Sequence, residues 1–269
     1  MKLPDTSSIR RWLLLKAEGE VLFCSLNFPE KHNALSPDLI RALTEFFSSH
    51  FLEMGIRVII LKGEGPSFCA GADLQYMKAM ANFSPQENLA DAEKLFEMFE
   101  TVVSCEVPVI ALAHGNVYGG GVGLLACCDI SLALENTKFC FSEVRLGLAP
   151  AVISPFVMRK MQLSYAHRYF LSAEIFGAKE AQSAGLISAY GSEEEMTFLM
   201  KQITENLLAG GPLAQKAVKQ ILHQDFRQSL QDKKATMTQM ISNLRVSAEG
   251  QEGMRAFFEK RKPNWQQQK

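Results

Sequence analysis

No apolar run in this 269-residue chain approaches the roughly 20 residues that a membrane span needs, and the first apolar stretch is only Leu13–Leu15. Met1–Arg11 lacks an apolar h-region and a small-residue cleavage site, which argues against secretion. Charge of one sign is not in excess either. Lys+Arg total 28 against 29 for Asp+Glu, a net charge of -1. That balance leaves no global field to recruit nucleic acid or an anionic membrane, although a local patch can still grip a phosphate. No Cys-x-x-Cys pair occurs among the six cysteines, so a zinc or disulfide framework is not expected. Buried free thiols in a reducing cytoplasm are the reading they support. Internal repeats, low-complexity tracts and long linkers are lacking too, and only Trp265–Lys269 reads as a frayed end.

What is present suits a sizeable buried core: 47% hydrophobic and 21% charged residues. Residues 11–28 read as two short strands around a Glu18–Gly19–Glu20 turn. Ser36–Pro37–Asp38 starts a helix, with a Ser cap, Pro at the first position and an acid in the first turn. Leu39, Ile40, Leu43, Phe46 and Phe47 continue it with helical period to about His50. Arg57–Lys62 and Val107–Ala113 read as buried strands, with a helix over Asn88–Cys105 between them. Asp129–Leu134 and Lys138–Ser142 predict two more strands. Beyond residue 150 helical periods dominate, among them Tyr165–Leu171, Ala178–Ala184, Glu193–Leu208, Leu213–His223 and Lys233–Ser247. Strands alternating with helices predict an α/β layered core followed by a helical C-terminal region.

Two strand-to-helix corners can carry chemistry: Phe68–Asp73 (FCAGAD) and Tyr118–Gly123 (YGGGVG). Small residues there let a ligand approach main-chain N–H groups that a helix start leaves unpaired. Two such donors aimed at one developing oxyanion form a strong catalytic device. Glycines at such corners also serve plain backbone geometry. Neither corner spells a dinucleotide-binding or Walker motif.

The pair of corners, with FCFSEVRLGLAP (139–150), AKEAQSAGLI (178–187) and EGMRAFFEKRKPNW (252–265), resembles the enoyl-CoA hydratase/isomerase (crotonase) family. The resemblance covers nearly the whole chain. It implies a crotonase-type ββα spiral core over residues 1–200 and a helical C-terminal trimerisation region over 201–269. It also implies a homotrimer, or a hexamer built as a dimer of trimers. The implied substrate is an acyl-CoA thioester, with no metal and no cofactor besides the coenzyme A that the substrate carries.

By the same resemblance, the N–H groups of Ala72 and Gly120 hold the thioester oxygen and Glu143 is the catalytic acid/base. Coenzyme A contacts fall on Lys31, Ala34, Ala70, Phe257 and Lys260. Hydratases of the family typically carry a second glutamate just after the glycine turn, where this chain has Gly123. Glycine there is expected to leave room for a branched or larger acyl group. The stretches around Gly123 and Glu143 are similar to bacterial methylglutaconyl-CoA hydratases, which points to hydration of a branched or carboxylated enoyl-CoA. One carboxylate also suffices for a Δ3,Δ2-enoyl-CoA isomerase. A non-catalytic acyl-CoA binder is the third reading.

Other polar residues carry plainer expectations. Glu143 on its own reads as a surface residue or a partner of Arg145. Asp73 reads as a helix N-terminus stabiliser, His114 as a hydrogen-bonded structural histidine, and Cys127 and Cys128 as core. Arg57, Arg145 and Arg159 are candidates to meet a distal carboxylate, and the sequence does not choose among them.

Overall fold

The computed structural model describes residues 9–266, apart from the side chains of Gln224, Asp225, Arg227, Gln228 and Gln231. The expectations for Met1–Ser8 and for the last three residues lie outside the described residues. The chain opens with a hairpin, β1 (Leu13–Glu18) and β2 (Val21–Leu26), and then α1 (Pro37–Phe47). Ser36 Oγ accepts the Leu39 N–H at 3.2 Å, and Leu39, Ile40, Leu43, Phe46 and Phe47 are buried as their spacing predicts.

Next come β3 (Val58–Gly63), α2 (Leu74–Met80), α3 (Pro85–Ser104) and β4 (Val109–Ala113). β4 begins the first of two strand–strand–helix turns, with β5 (Asn116–Tyr118) and α4 (Gly120–Cys127); the second is β6 (Ile130–Leu134), β7 (Lys138–Cys140) and α5 (Ser154–Val157). The remainder comprises α6 (Leu163–Ser172), β8 (Phe176–Gly177), α7 (Ala178–Ser183), β9 (Ala189–Gly191), α8 (Glu193–Ala209), α9 (Pro212–Val246) and α10 (Ala248–Phe258).

The strands form two sheets, one ordered β1-β2-β3-β4-β6-β9 and one ordered β5-β7-β8. β1 and β2 are antiparallel; the other pairs of the larger sheet are parallel, so their connections must cross over. The turns β4-β5-α4 and β6-β7-α5 each put one strand in either sheet before the helix, which is the ββα spiral. The period of two divides β3 between two cores. Ile59 and Leu61 face the main core, and Val58 and Ile60 face a smaller one with Met196 of α8.

Two expectations change. Position 143 is not in a strand: β7 ends at Cys140, and Glu143–Leu146 is a single 3-10 turn closed by Gly147 in the left-handed region. The two helices expected over 213–223 and 233–247 are one 35-residue helix, α9. Its middle contains no Gly or Pro, and Phe226, Leu230 and Met237 carry the core-facing spacing from one expected span to the other. Position 200 lies within α8, and Leu230 and Ile241 of α9 join the main core. All six cysteines are buried free thiols. Among the described residues, no helix is long and apolar enough to cross a membrane.

Candidate active site

The first corner leaves β3 and runs to Asp73. Leu35 donates its N–H to Gly71 O at 2.7 Å, and Asp73 donates to Leu35 O at 3.1 Å. A parallel bridge of this kind uses the groups on either side of Ala72, so Ala72's own N–H points away from Leu35. The second corner leaves β5. Gly119 is left-handed (φ 47°) and donates to Cys140 O at 2.9 Å, which ties the corner to β7. Gly120 is the first residue of α4, so its N–H has no carbonyl a turn behind it.

The corners meet main chain to main chain. A Cβ on Gly121 would stand 2.2 Å from Cys69 O, a distance no side chain tolerates. Ala72 and Gly120 thereby line one cavity of about 510 Å³, and Glu143 lines it with them. Pairing of β5 with β7 brings Glu143 there, because the 3-10 turn follows β7 directly. Its Oε1 lies 3.2 Å from where a Cβ on Gly119 would be.

The residue as a whole keeps some exposure through the cleft, but Oε2 is buried and meets no hydrogen-bond partner. Desolvation by burial pushes the Glu143 carboxyl up to about 7, with only its own backbone N–H opposing. Arg145 lines the same cavity and forms no ion pair with Glu143 in the described structure.

The remaining nominated residues divide. Ala70 and Phe257 line the cavity, whereas Lys31, Ala34 and Lys260 stand outside its lining. Lys31 Nζ binds Asp73 Oδ2 at 2.8 Å and Gln75 Oε1 at 2.7 Å. Asp73 caps α2 by accepting the Tyr76 N–H at 2.9 Å. Burial opposes its ionisation, but the Lys31 and Tyr76 bonds outweigh that and hold the carboxyl below its ordinary value. His114 Nε2 bonds Gly65 O at 2.9 Å, the structural role expected of it. Arg57 is committed to the carbonyls of Leu208 and Gly210, and Arg159 lies over the Phe226 ring at 4.8 Å; neither lines the cavity.

The room expected at Gly123 does not exist. A Cβ there would lie 2.6 Å from Ile153 Cγ2 and 3.0 Å from Phe99 Cζ, so Ile153 already fills the space and presents itself to the cavity.

One group escaped the sequence reading. Tyr76 Oη donates to Asp91 Oδ1 at 2.5 Å, and Arg245 Nη1 donates to Asp91 Oδ2 at 2.8 Å, all three residues lining the cavity. The available signal was Asp91 itself, a carboxylate on the face of α3 that carries Asn88 and Leu95.

Main-chain N–H groups at two corners and a desolvated carboxylate therefore line one cavity. The family model for enoyl-CoA hydratase/isomerase matches residues 16–268, and the chain belongs to that family. It is 30% identical to the 2,3-dehydroadipyl-CoA hydratase of Escherichia coli strain K12, over 94% of this chain and 98% of that one. Among solved structures, an enoyl-CoA hydratase from Shewanella pealeana is 35% identical with a TM-score of 0.75, over 94% of this chain and 96% of that one. An enoyl-CoA hydratase from Mycobacterium avium is 31% identical with a TM-score of 0.84, covering 94% and 98%. The crotonase fold and its helical C-terminal region are those the sequence resemblance implied.

Proposed function

We propose that the chain adds water to an α,β-unsaturated acyl-CoA, with a branched, methylglutaconyl-like acyl group as its preferred substrate. The single observation that carries the reading is Glu143: a buried carboxylate with an unpartnered oxygen, poised near pH 7, beside two corners with main-chain donors to spare. Ala72 and Gly120 N–H groups receive the thioester oxygen and stabilise the enolate as charge reaches it. Glu143 takes a proton from water as the oxygen adds to the β-carbon. The resulting acid returns that proton to the α-carbon, so one carboxylate balances the whole addition. A pKa near 7 serves both directions.

Ala70 and Phe257, with Lys31, Ala34 and Lys260 outside the cavity, are proposed to meet the coenzyme A portion. The named substrate of the Escherichia coli relative, a carboxylated acyl-CoA, supports a polar acyl group here. The working division is a core of residues 1–200 and a helical region of 201–269 that assembles three or six copies. Exposed apolar residues on α8 and α9, such as Phe198, Ile221 and Leu222, support that assembly. Six buried free thiols suit the cytoplasm.

Glycine in place of a second glutamate at position 123 supports one second reading, a Δ3,Δ2-enoyl-CoA isomerase, for which one carboxylate suffices. The test follows the absorbance of the conjugated thioester with crotonyl-CoA, 3-methylglutaconyl-CoA and a 3-enoyl-CoA. Hydration removes the band and isomerisation creates it. Glu143→Gln is expected to cut hydration by about a thousandfold or more. Retention of activity within about tenfold ends the role of Glu143.

A further inference from the structure

We propose that Arg245 is a specificity-determining residue, reading a carboxylate carried by the acyl chain; this rests on the acyl-CoA reading above. Most of the cavity wall is hydrocarbon, with Met77, Met80, Leu95, Ile153, Ile241 and Met254 among its residues. Into that wall the fold sets an ion pair, Arg245 and Asp91, with both side chains only 10% exposed. A pair so desolvated returns little stability, and a purely hydrocarbon acyl chain lying against it offers nothing in exchange. An occupant bearing oxygen does.

The pair has one kind of group left to offer. Asp91 Oδ1 accepts from Tyr76 and Oδ2 from Arg245, so both carboxylate oxygens are engaged. The hydrogen bonds described for the Arg245 side chain use Nη1 alone, toward Asp91 and toward Asn88 O at 3.5 Å. A guanidinium carries five N–H donors, so the network presents donors rather than acceptors. Their fork matches the two oxygens of a carboxylate.

Charge alone does not select the occupant: Asp91 offsets Arg245, and Glu143, once ionised, offsets Arg145, which lines the same cavity with no ion pair described for it. Asp91 also fixes where the guanidinium sits, because it joins α3 to α9 while Tyr76 adds α2.

The experiment compares ligands that differ only in that group. Glutaryl-CoA and 5-methylhexanoyl-CoA carry a carboxylate and an isopropyl of similar shape on identical chains. Their coenzyme A portions are the same, so phosphate contacts cancel. Titration calorimetry on the wild-type chain is expected to favour glutaryl-CoA by at least about tenfold. Arg245→Met is expected to erase that preference while 5-methylhexanoyl-CoA binds within about threefold of wild type. Arg245→Lys, which keeps the charge and loses the fork, should fall between.

The same contrast is then read in kcat/KM with glutaconyl-CoA against 5-methylhex-2-enoyl-CoA. Equal wild-type affinities, or a loss of both ligands in the same proportion in Arg245→Met, overturns the inference. If Arg245→Met does not fold, the wild-type ratio and Arg245→Lys decide it. Carboxylate preference in binding without turnover of any enoyl-CoA would instead reject the hydratase reading and leave the Arg245 assignment standing.

Discussion

The role proposed for Glu143, removing a proton from water and returning it to carbon, needs a proton affinity between the extremes, and burial supplies one. Its ordinary value of 4.5 rises to about 7 because Oε2 is desolvated without a partner. Two outcomes follow at the scale of this residue. The base must be ionised to start the addition, so kcat/KM should climb about tenfold per pH unit below 7 and level off above it. A flat profile from pH 5 to 8 contradicts the assignment. The second outcome concerns stability. Between 4.5 and 7 the folded chain keeps a proton that the unfolded chain has lost, so this group's contribution to stability falls as pH rises through that window. Above about 7 the full cost of the buried charge is present. Glu143→Gln removes that charge and should stabilise the fold by about 1–3 kcal/mol at pH 8, and by little at pH 4. Thermal unfolding at the two pH values checks the sign.

At the scale of elements, α4 shows how a small residue is read differently by sequence and by packing. Gly123 reads as space in the chain, yet Ile153 and Phe99 occupy it, and the cavity wall is Ile153. Alanine at 123 gains up to about 1 kcal/mol of helix propensity but forces its Cβ onto a β-branched side chain that has little freedom to move. Gly123→Ala is expected to lower stability by about 1 kcal/mol, and to raise it in an Ile153→Ala background. Denaturant unfolding of both singles and the double measures this; additive effects would mean the two residues do not touch. The elements most visible in the sequence were those with local causes, such as the Ser36 cap of α1 and the small-residue corners at Ala72 and Gly120. Glu143 was nominated through family resemblance, since an isolated glutamate carries no signal of its own. The Tyr76–Asp91–Arg245 network was not legible, because its members are 15 and 154 residues apart and meet only when three helices pack. The short strand β5 was hidden inside the glycine turn, and it is the pairing of β5 with β7 that brings Glu143 to the corner.

At the scale of the whole molecule, α9 has one buried face and one exposed apolar face. Lys219, His223, Leu230 and Ile241 are buried on the first, and Lys219 reaches Asp129 at 2.6 Å. Toward solvent the same helix presents Leu213, Val218, Ile221 and Leu222, each more than half exposed, and α8 adds Phe198. Val218, Ile221 and Leu222 sit three and four residues apart, so they form one continuous stripe. A stripe of this kind on a protein with a net charge of -1 favours association. The proposed trimer or hexamer predicts sedimentation at three or six times the 30.0 kDa chain mass. Glu at both 221 and 222 places charges in the stripe and is expected to shift the population to the single-chain mass. Because α9 and α10 also wall the cavity through Ile241 and Met254, the dissociated variant should lose activity more steeply than secondary structure by circular dichroism. A wild-type chain that sediments as a monomer at micromolar concentration would remove the assembly proposal. Ala72, Gly120 and Glu143 line the cavity within a single chain, so the roles proposed for them do not rest on that outcome.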